Sequence, residues 1–211
     1  MMATGLPETS PTVLKSQLHV GCGPKRKGQT LPAFQSTDWR EVRFDIDESV
    51  SPDIVGTMTD MSAVESASMD ALFSSHNVEH LYPHEVPVAF NEFNRVLKDD
   101  GFAIITCPDL QSVAALIAQD KFLDTAYVSP AGPITPLDIL FGHRPSMARG
   151  NLYMAHHVGF TQKVLAGTLK PAGFGSVLTV RRPEQFDLWA FAMKQAVSDD
   201  VLRNNASRYL G

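Results

Sequence analysis

The stretch Leu18-His19-Val20-Gly21-Cys22-Gly23-Pro24 decides the fold. An apolar strand running straight into Gly-x-Gly carries a bare backbone to the strand's end, where a nucleotide-sized ligand can approach closely. By itself the pattern is weak. It gains force from Asp45 and Asp47, a carboxylate pair closing the next apolar segment. An acid about twenty residues beyond such a turn can accept hydrogen bonds from ribose hydroxyls. Together the two features point to an adenosine-containing cofactor.

Working outward, short segments at 17–20, 41–46, 53–56, 69–75 and 102–107 are apolar on both faces, as the strands of a covered parallel sheet must be. Between the last two, Val86, Ala89, Phe90, Phe93, Val96 and Leu97 recur at helical spacing. This predicts a helix over 84–97 that stops at Asp99-Asp100-Gly101 and completes a βαβ crossover. A further helix is predicted after Pro108, with Val113, Leu116 and Ile117 turned inward. Prolines at 130, 133, 136 and 145 then break the pattern, and 121–159 reads as neither strand nor long helix. Such an insertion is expected near the C-terminal ends of the strands, where open α/β sheets bind ligands. Regularity resumes with a helix over 161–170 capped by Thr161. Strands at 175–181 and 186–193 follow, joined by Arg182-Pro183-Glu184 and hence antiparallel neighbours, and a last helix covers 197–210.

Composition narrows the function classes. With 211 residues the chain suits one α/β domain, and 18 basic against 23 acidic residues give a formal net charge of −5. That balance offers no general attraction for phosphate backbones or anionic membranes, so neither a nucleic-acid nor a membrane partner is expected. The basic run Lys25-Arg26-Lys27 beside the glycine turn reads first as a solvated loop face, and second as a guide for an anionic group. Two cysteines, Cys22 and Cys107, are too few for a disulfide framework and point to a reducing compartment. Residues 1–16 have neither the basic start nor the apolar core of a signal peptide, and no segment reaches the length of a membrane span. A soluble cytoplasmic protein with a flexible N-terminus over 1–15 is therefore expected.

The element order and four motifs resemble the class I S-adenosylmethionine-dependent methyltransferases. Val20-Gly21-Cys22-Gly23 is similar to the family's first motif, and Phe44-Asp45-Ile46-Asp47 to the acidic end of its second strand. Thr59-Asp60-Met61 is similar to the acidic loop after the third strand. The most specific match is Asn94-Arg95-Val96-Leu97-Lys98-Asp99-Asp100-Gly101, a phrase that in the family commonly reads Arg-Val-Leu-Lys-Pro-Gly-Gly after a Glu-His-Leu stretch, here Glu79-His80-Leu81. The likeness is close over residues 17–110. Two places depart from it: His19 stands where the family often has an acid, and the third glycine arrives late, as Gly28.

The resemblance implies a Rossmann-like α/β sheet, mostly parallel with a C-terminal antiparallel hairpin strand. It would form a single domain over 16–211 with an acceptor-side insertion at about 121–160. The implied activity is methyl transfer from S-adenosylmethionine to a small-molecule or modest polar acceptor. Gly21, Cys22 and Gly23 would pass close to the methionine end, Asp45 (with Asp47 as the alternative) would accept from the ribose, and Asp60 would accept from the adenine amino group. His76 and Asn77 end the fourth strand, where the reactive sulfur lies in this fold. His76, His156 and His143 are candidate general bases, because an imidazole titrates near neutrality. Tyr153, His156, His157 and Phe160 cluster in sequence as a candidate acceptor lid, whereas Trp39 and Trp189 read as structural.

Three rival readings rest on the same residues. His76-Asn77-Val78-Glu79-His80 matches the His-x-x-Glu-His pattern of inverted zinc peptidases, in which His76 and His80 would bind zinc and Glu79 would activate water. That pattern requires a continuous helix, yet His76 ends an apolar strand and Pro83 follows closely, so no metal is expected. A nicotinamide oxidoreductase would need a glycine where Arg26 stands. A non-catalytic cofactor-binding partner protein would keep the same fold without turnover.

Overall fold

The computed structural model describes residues 14–210. The predicted flexible segment 1–15 therefore lies largely outside the described residues, and its last residue, Lys15, already belongs to a strand. In chain order the elements are β1 (Lys15–Val20), β2 (Trp39–Asp45), β3 (Ile54–Val55), β4 (Met69–Ser75), α1 (Val86–Val96), β5 (Leu97–Pro108) and α2 (Leu110–Ile117). They continue with β6 (Tyr127–Ser129), β7 (Gly132–Ile134), α3 (Pro136–Phe141), α4 (Arg144–Ala148), α5 (Gln162–Leu169), β8 (Ser176–Arg182), β9 (Asp187–Met193) and α6 (Asp199–Leu210). Seven strands form one sheet in the order β3-β2-β1-β4-β5-β9-β8. The first five pair in parallel, and β9 runs antiparallel to both β5 and β8, so the expected mostly parallel sheet with a terminal antiparallel hairpin is what the chain forms.

Burial explains why these strands read as continuous apolar runs. Ser16 to Val20 are all buried, with Leu18 and Val20 in one core cluster. That cluster lies under α1 and α5, where Phe90, Phe93, Leu165 and Leu169 are fully buried. Burying one such large side chain contributes about 1.5–3 kcal/mol. The other face packs Phe73, Ile104 and Phe191 against Phe34 and α6. His19 sits near this second cluster, 2 % exposed, with its ring 5.4 Å from Phe73 and its Nδ1 2.8 Å from Glu41 Oε1. The position where the family often carries an acid has thus become half of a buried pair between β1 and β2.

Several boundaries differ from the sequence expectation. β5 starts at Leu97, directly after α1, and residues 98–101 form an irregularity in its pairing with β4, so Asp99-Asp100-Gly101 shapes a strand and not a helix stop. In α2, Val113 is buried with Ile134 and Ile139, whereas Leu116 is half-buried and Ile117 is exposed. The 121–159 segment is more regular than its prolines suggest, containing the β6–β7 hairpin and two short helices with Pro136 and Pro145 in their first turns. Proline fits there because the first helical turn needs no donor. Gly142, at φ +102°, allows the 154–155 backbone to press against it; a Cβ there would lie 2.0 Å from the Met154 carbonyl oxygen. Trp39 packs edge-on against Phe34 in the core, and Trp189 lies beneath the Arg182 guanidinium, both structural as read. No helix among the described residues is long and apolar enough to cross a membrane.

The turn after β1 is anchored from β2. Arg43, 2 % exposed, donates to the carbonyls of Gly23, Lys25, Val50 and Ser51, joining the glycine turn to the loop after β2. Leaving buried acceptors without a donor costs about 1–3 kcal/mol each before water repairs some of them. Arg43→Met is therefore expected to lower stability by about 3 kcal/mol in urea unfolding. Stability equal to wild type would remove Arg43 from this role. Burial also pushes the Cys22 thiol up to about 11 and Cys107 well above the ordinary thiol range. Both thiols should resist iodoacetamide at about pH 8 in the native protein and react after denaturation; native labelling of either would contradict their burial.

Candidate functional site

β1, β2 and β4 end side by side, and the loops leaving them enclose a cavity of about 500 Å³. That volume lies within the usual range for small-molecule and cofactor sites. Gly21 and Gly23 both adopt left-handed backbone, at φ +65° and +51°. A Cβ on Gly21 would sit 2.2 Å from Asn77 Nδ2, so only glycine lets Asn77 lie across the turn. Asn77 in turn donates to Met58 Sδ at 3.2 Å, and both residues line the cavity.

Asp45 closes β2 with its carboxylate on the cavity wall, 8 % exposed. Its Oδ2 accepts from the Gly23 amide at 2.7 Å and its Oδ1 from the Asp47 amide at 2.9 Å. Each carboxylate has about four acceptor sites, so two remain for a ligand's hydroxyls. Asp47 also lines the cavity but spends Oδ1 on the Ser49 amide, capping the short turn at 48–50. These hydrogen bonds from Ser49 hold its carboxyl below the ordinary range.

Other predicted site residues fall elsewhere. Cys22 is 1 % exposed and absent from the cavity wall; its amide donates to the Phe44 carbonyl, so only its backbone belongs to the turn. Asp60 turns to the Ser62 amide and lies in an adjoining shallow recess with Glu92 and Arg95, while Met58 and Thr59 face the cavity in its place. The cause is a tight turn from Thr57 to Asp60 that rotates the acid outward. His143 begins α4 with Nδ1 2.8 Å from Ser146 Oγ, away from the cavity.

His76 is at the cavity, with about half of its side chain exposed (47 %). Its backbone is left-handed (φ +50°), an unfavourable conformation for a non-glycine residue, held by its amide donating to the Thr106 carbonyl at 2.9 Å. Desolvation opposes a charge on this ring, but Glu79, with Oε1 3.5 Å from Nδ1, outweighs it and raises the pKa. His156 lies one layer back, its Nδ1 2.8 Å from the Ile139 carbonyl and its ring 4.9 Å from that of His80. Burial lowers its pKa, partly offset by Glu79.

Three further residues line the cavity. His80 has a role in sequence only in the rival zinc pattern, His157 only as part of the candidate acceptor lid, and Tyr82 carries no sequence signal. Tyr82 and His157 stack at 4.2 Å with their planes 14° apart, forming the far wall with Tyr153. The His157 and Val158 amides both donate to the Glu79 carbonyl, sewing the insertion onto the turn after β4. Phe160, by contrast, is a core residue against Phe90. Residues 78–80 form a single short turn, so the continuous helix required by the inverted zinc-peptidase pattern is absent.

These features fit S-adenosylmethionine: a side-chain-free turn, spare acceptor capacity on Asp45, and apolar surface from Ile46 and Met58 within one cavity. Residues 18–105 match the family model described as a methyltransferase domain. No curated protein matches the sequence. Among solved structures, a S-adenosylmethionine-dependent methyltransferase from Methanosarcina mazei superposes with a TM-score of 0.57 at 15 % identity, over 87 % of this chain and 94 % of its own. The Burkholderia thailandensis 1,6-didemethyltoxoflavin-N1-methyltransferase gives 0.53 at 16 %, over 87 % and 72 %. The CMeT domain of the citrinin polyketide synthase gives 0.58 at 13 %, over 90 % of this chain, which spans only about half (48 %) of that one. At such identities the structures establish the fold alone. Residues 18–105 are thus similar to a methyltransferase domain, and the chain as a whole has the fold of these S-adenosylmethionine-dependent methyltransferases.

Proposed function

We propose that this protein is an S-adenosylmethionine-dependent methyltransferase acting on a small polar acceptor that enters beside Tyr82, Tyr153 and His157. One observation carries the reading: a single cavity of about 500 Å³ runs from the glycine turn and Asp45 to this aromatic wall. It has room for a cofactor and a compact acceptor, and the formal net charge of −5 offers no general attraction for a nucleic acid. The Burkholderia neighbour, whose structure holds 1,6-didemethyltoxoflavin and S-adenosylhomocysteine, accords with an acceptor of this size. The two buried free thiols suit the cytoplasm, and the 121–160 segment serves as the acceptor-side insertion of a single domain.

In this reading the backbone at Gly21, Cys22 and Gly23 receives the methionine end and Asp45 the ribose hydroxyls. The loop carrying Met58 and Thr59, not the Asp60 carboxylate, faces the base. When bound, S-adenosylmethionine supplies an electrophilic methyl group. What the protein adds is chiefly alignment, which in favourable cases is worth up to about 7–11 kcal/mol. His76 and Asn77 line the same cavity. Of the three histidines predicted as bases, His76 alone lines the cavity, and this reading assigns it the acceptor's proton.

Methyl-labelled cofactor incubated with the protein and a cell extract should place label in the small-molecule filtrate after ultrafiltration. Label confined to retained protein or RNA would refute the acceptor class, and no transfer by protein that binds the cofactor would favour the non-catalytic reading. With an acceptor in hand, His76→Gln should lower kcat about 100-fold. His143→Gln should leave it near wild type. Equal effects from the two would undo this assignment.

A further inference from the structure

Behind the acceptor end of the cavity, side chains from two distant segments converge. Glu79 and His80 come from the turn after β4, and His156 from the segment after α4; one candidate ligand atom from each lies within 4.8 Å of the others. Glu79 is 1 % exposed, and its Oε2 has no hydrogen-bond partner. A buried carboxylate oxygen without a donor is costly, and such an atom calls for an explanation.

The two rings are already oriented. His80 Nδ1 lies 2.9 Å from the Ala155 carbonyl oxygen and His156 Nδ1 lies 2.8 Å from that of Ile139. A carbonyl can only accept, so each Nδ1 carries the hydrogen and donates, leaving Nε2 with a free lone pair. Metal-binding histidines are commonly held in this way, through the nitrogen that does not touch the ion. The cluster thus brings together two imidazoles whose Nε2 lone pairs are free and a carboxylate with one unpartnered oxygen. A cation held among the three would satisfy all of these groups at once.

We propose that Glu79, His80 and His156 bind a divalent transition-metal ion, best matched by Zn²⁺. Two nitrogens and one oxygen form a zinc-type ligand set, whereas Ca²⁺ and Mg²⁺ seek more oxygens. Zinc bonds of about 2.0–2.1 Å put tetrahedral ligand atoms roughly 3.3 Å apart, so a small inward movement of side chains closes the site. Three protein ligands leave a fourth position open, and His80 reaches the cavity wall. The set differs from the rival zinc motif in that His156 takes the place of His76, and the proposal departs from the expectation of no metal. The inference does not require methyl transfer.

The test uses the full chain, stripped with a chelator and titrated with CoCl₂ by visible absorption and with ZnCl₂ by calorimetry. One equivalent of each ion at micromolar concentrations is expected, with the visible bands of four-coordinate cobalt. Glu79→Gln and His156→Gln should each weaken zinc about 100-fold or more while retaining S-adenosylhomocysteine affinity, which reports intact folding. Absence of zinc and cobalt uptake by the wild type overturns the site whatever the variants do. Undiminished uptake in both variants overturns it equally, by placing the ion elsewhere. Retained S-adenosylhomocysteine binding alongside either failure would leave the methyltransferase reading standing.

Discussion

Two charged side chains of β2, Arg43 and Asp45, hold the glycine turn against the rest of the cavity. The guanidinium gathers carbonyls from that turn and from the loop after β2. The carboxylate takes the amide of Gly23 from one and of Asp47 from the other. The left-handed glycines have no side chain with which to anchor themselves, so their position is set from outside. Because Asp45 still has acceptor capacity, the group that shapes the turn can also touch the ligand.

The sheet places this device where a ligand can use it. β1 lies between β2 and β4, so the ends of all three meet beside the turn that leaves β1. The acceptor wall comes from much farther along the chain. Its 151–158 segment is bound to the turn after β4 by backbone hydrogen bonds to Glu79 and by the His80 ring on the Ala155 carbonyl. Motion of that segment would therefore be felt at His76, His80 and Glu79 together.

The strand pattern was legible because buried parallel strands need continuous apolar runs, and α1 because its five buried residues repeat at helical spacing. Asp45 and the two glycines were legible because spacing from a strand end fixes where they lie. Asp60 was not, since a four-residue turn can rotate an acid away without changing the motif. Nor was the choice between His156 and His157: in an irregular segment no period says which of two neighbours faces a cavity. Arg43 sits among apolar residues of a strand and shows no partner within its own sequence neighbourhood. Its four carbonyls become visible only when the loops are folded over it.

The most direct test of the account is a calorimetric titration of S-adenosylhomocysteine into the purified protein and into Asp45→Asn. Saturable binding with a Kd below about 100 μM, roughly −5.5 kcal/mol, is expected for the wild type. At least about tenfold weaker binding is expected for the variant, a loss of about 1.4 kcal/mol. No saturable binding to the wild type, or equal affinity in the two proteins, would contradict the claim that Asp45 and the glycine turn hold the cofactor.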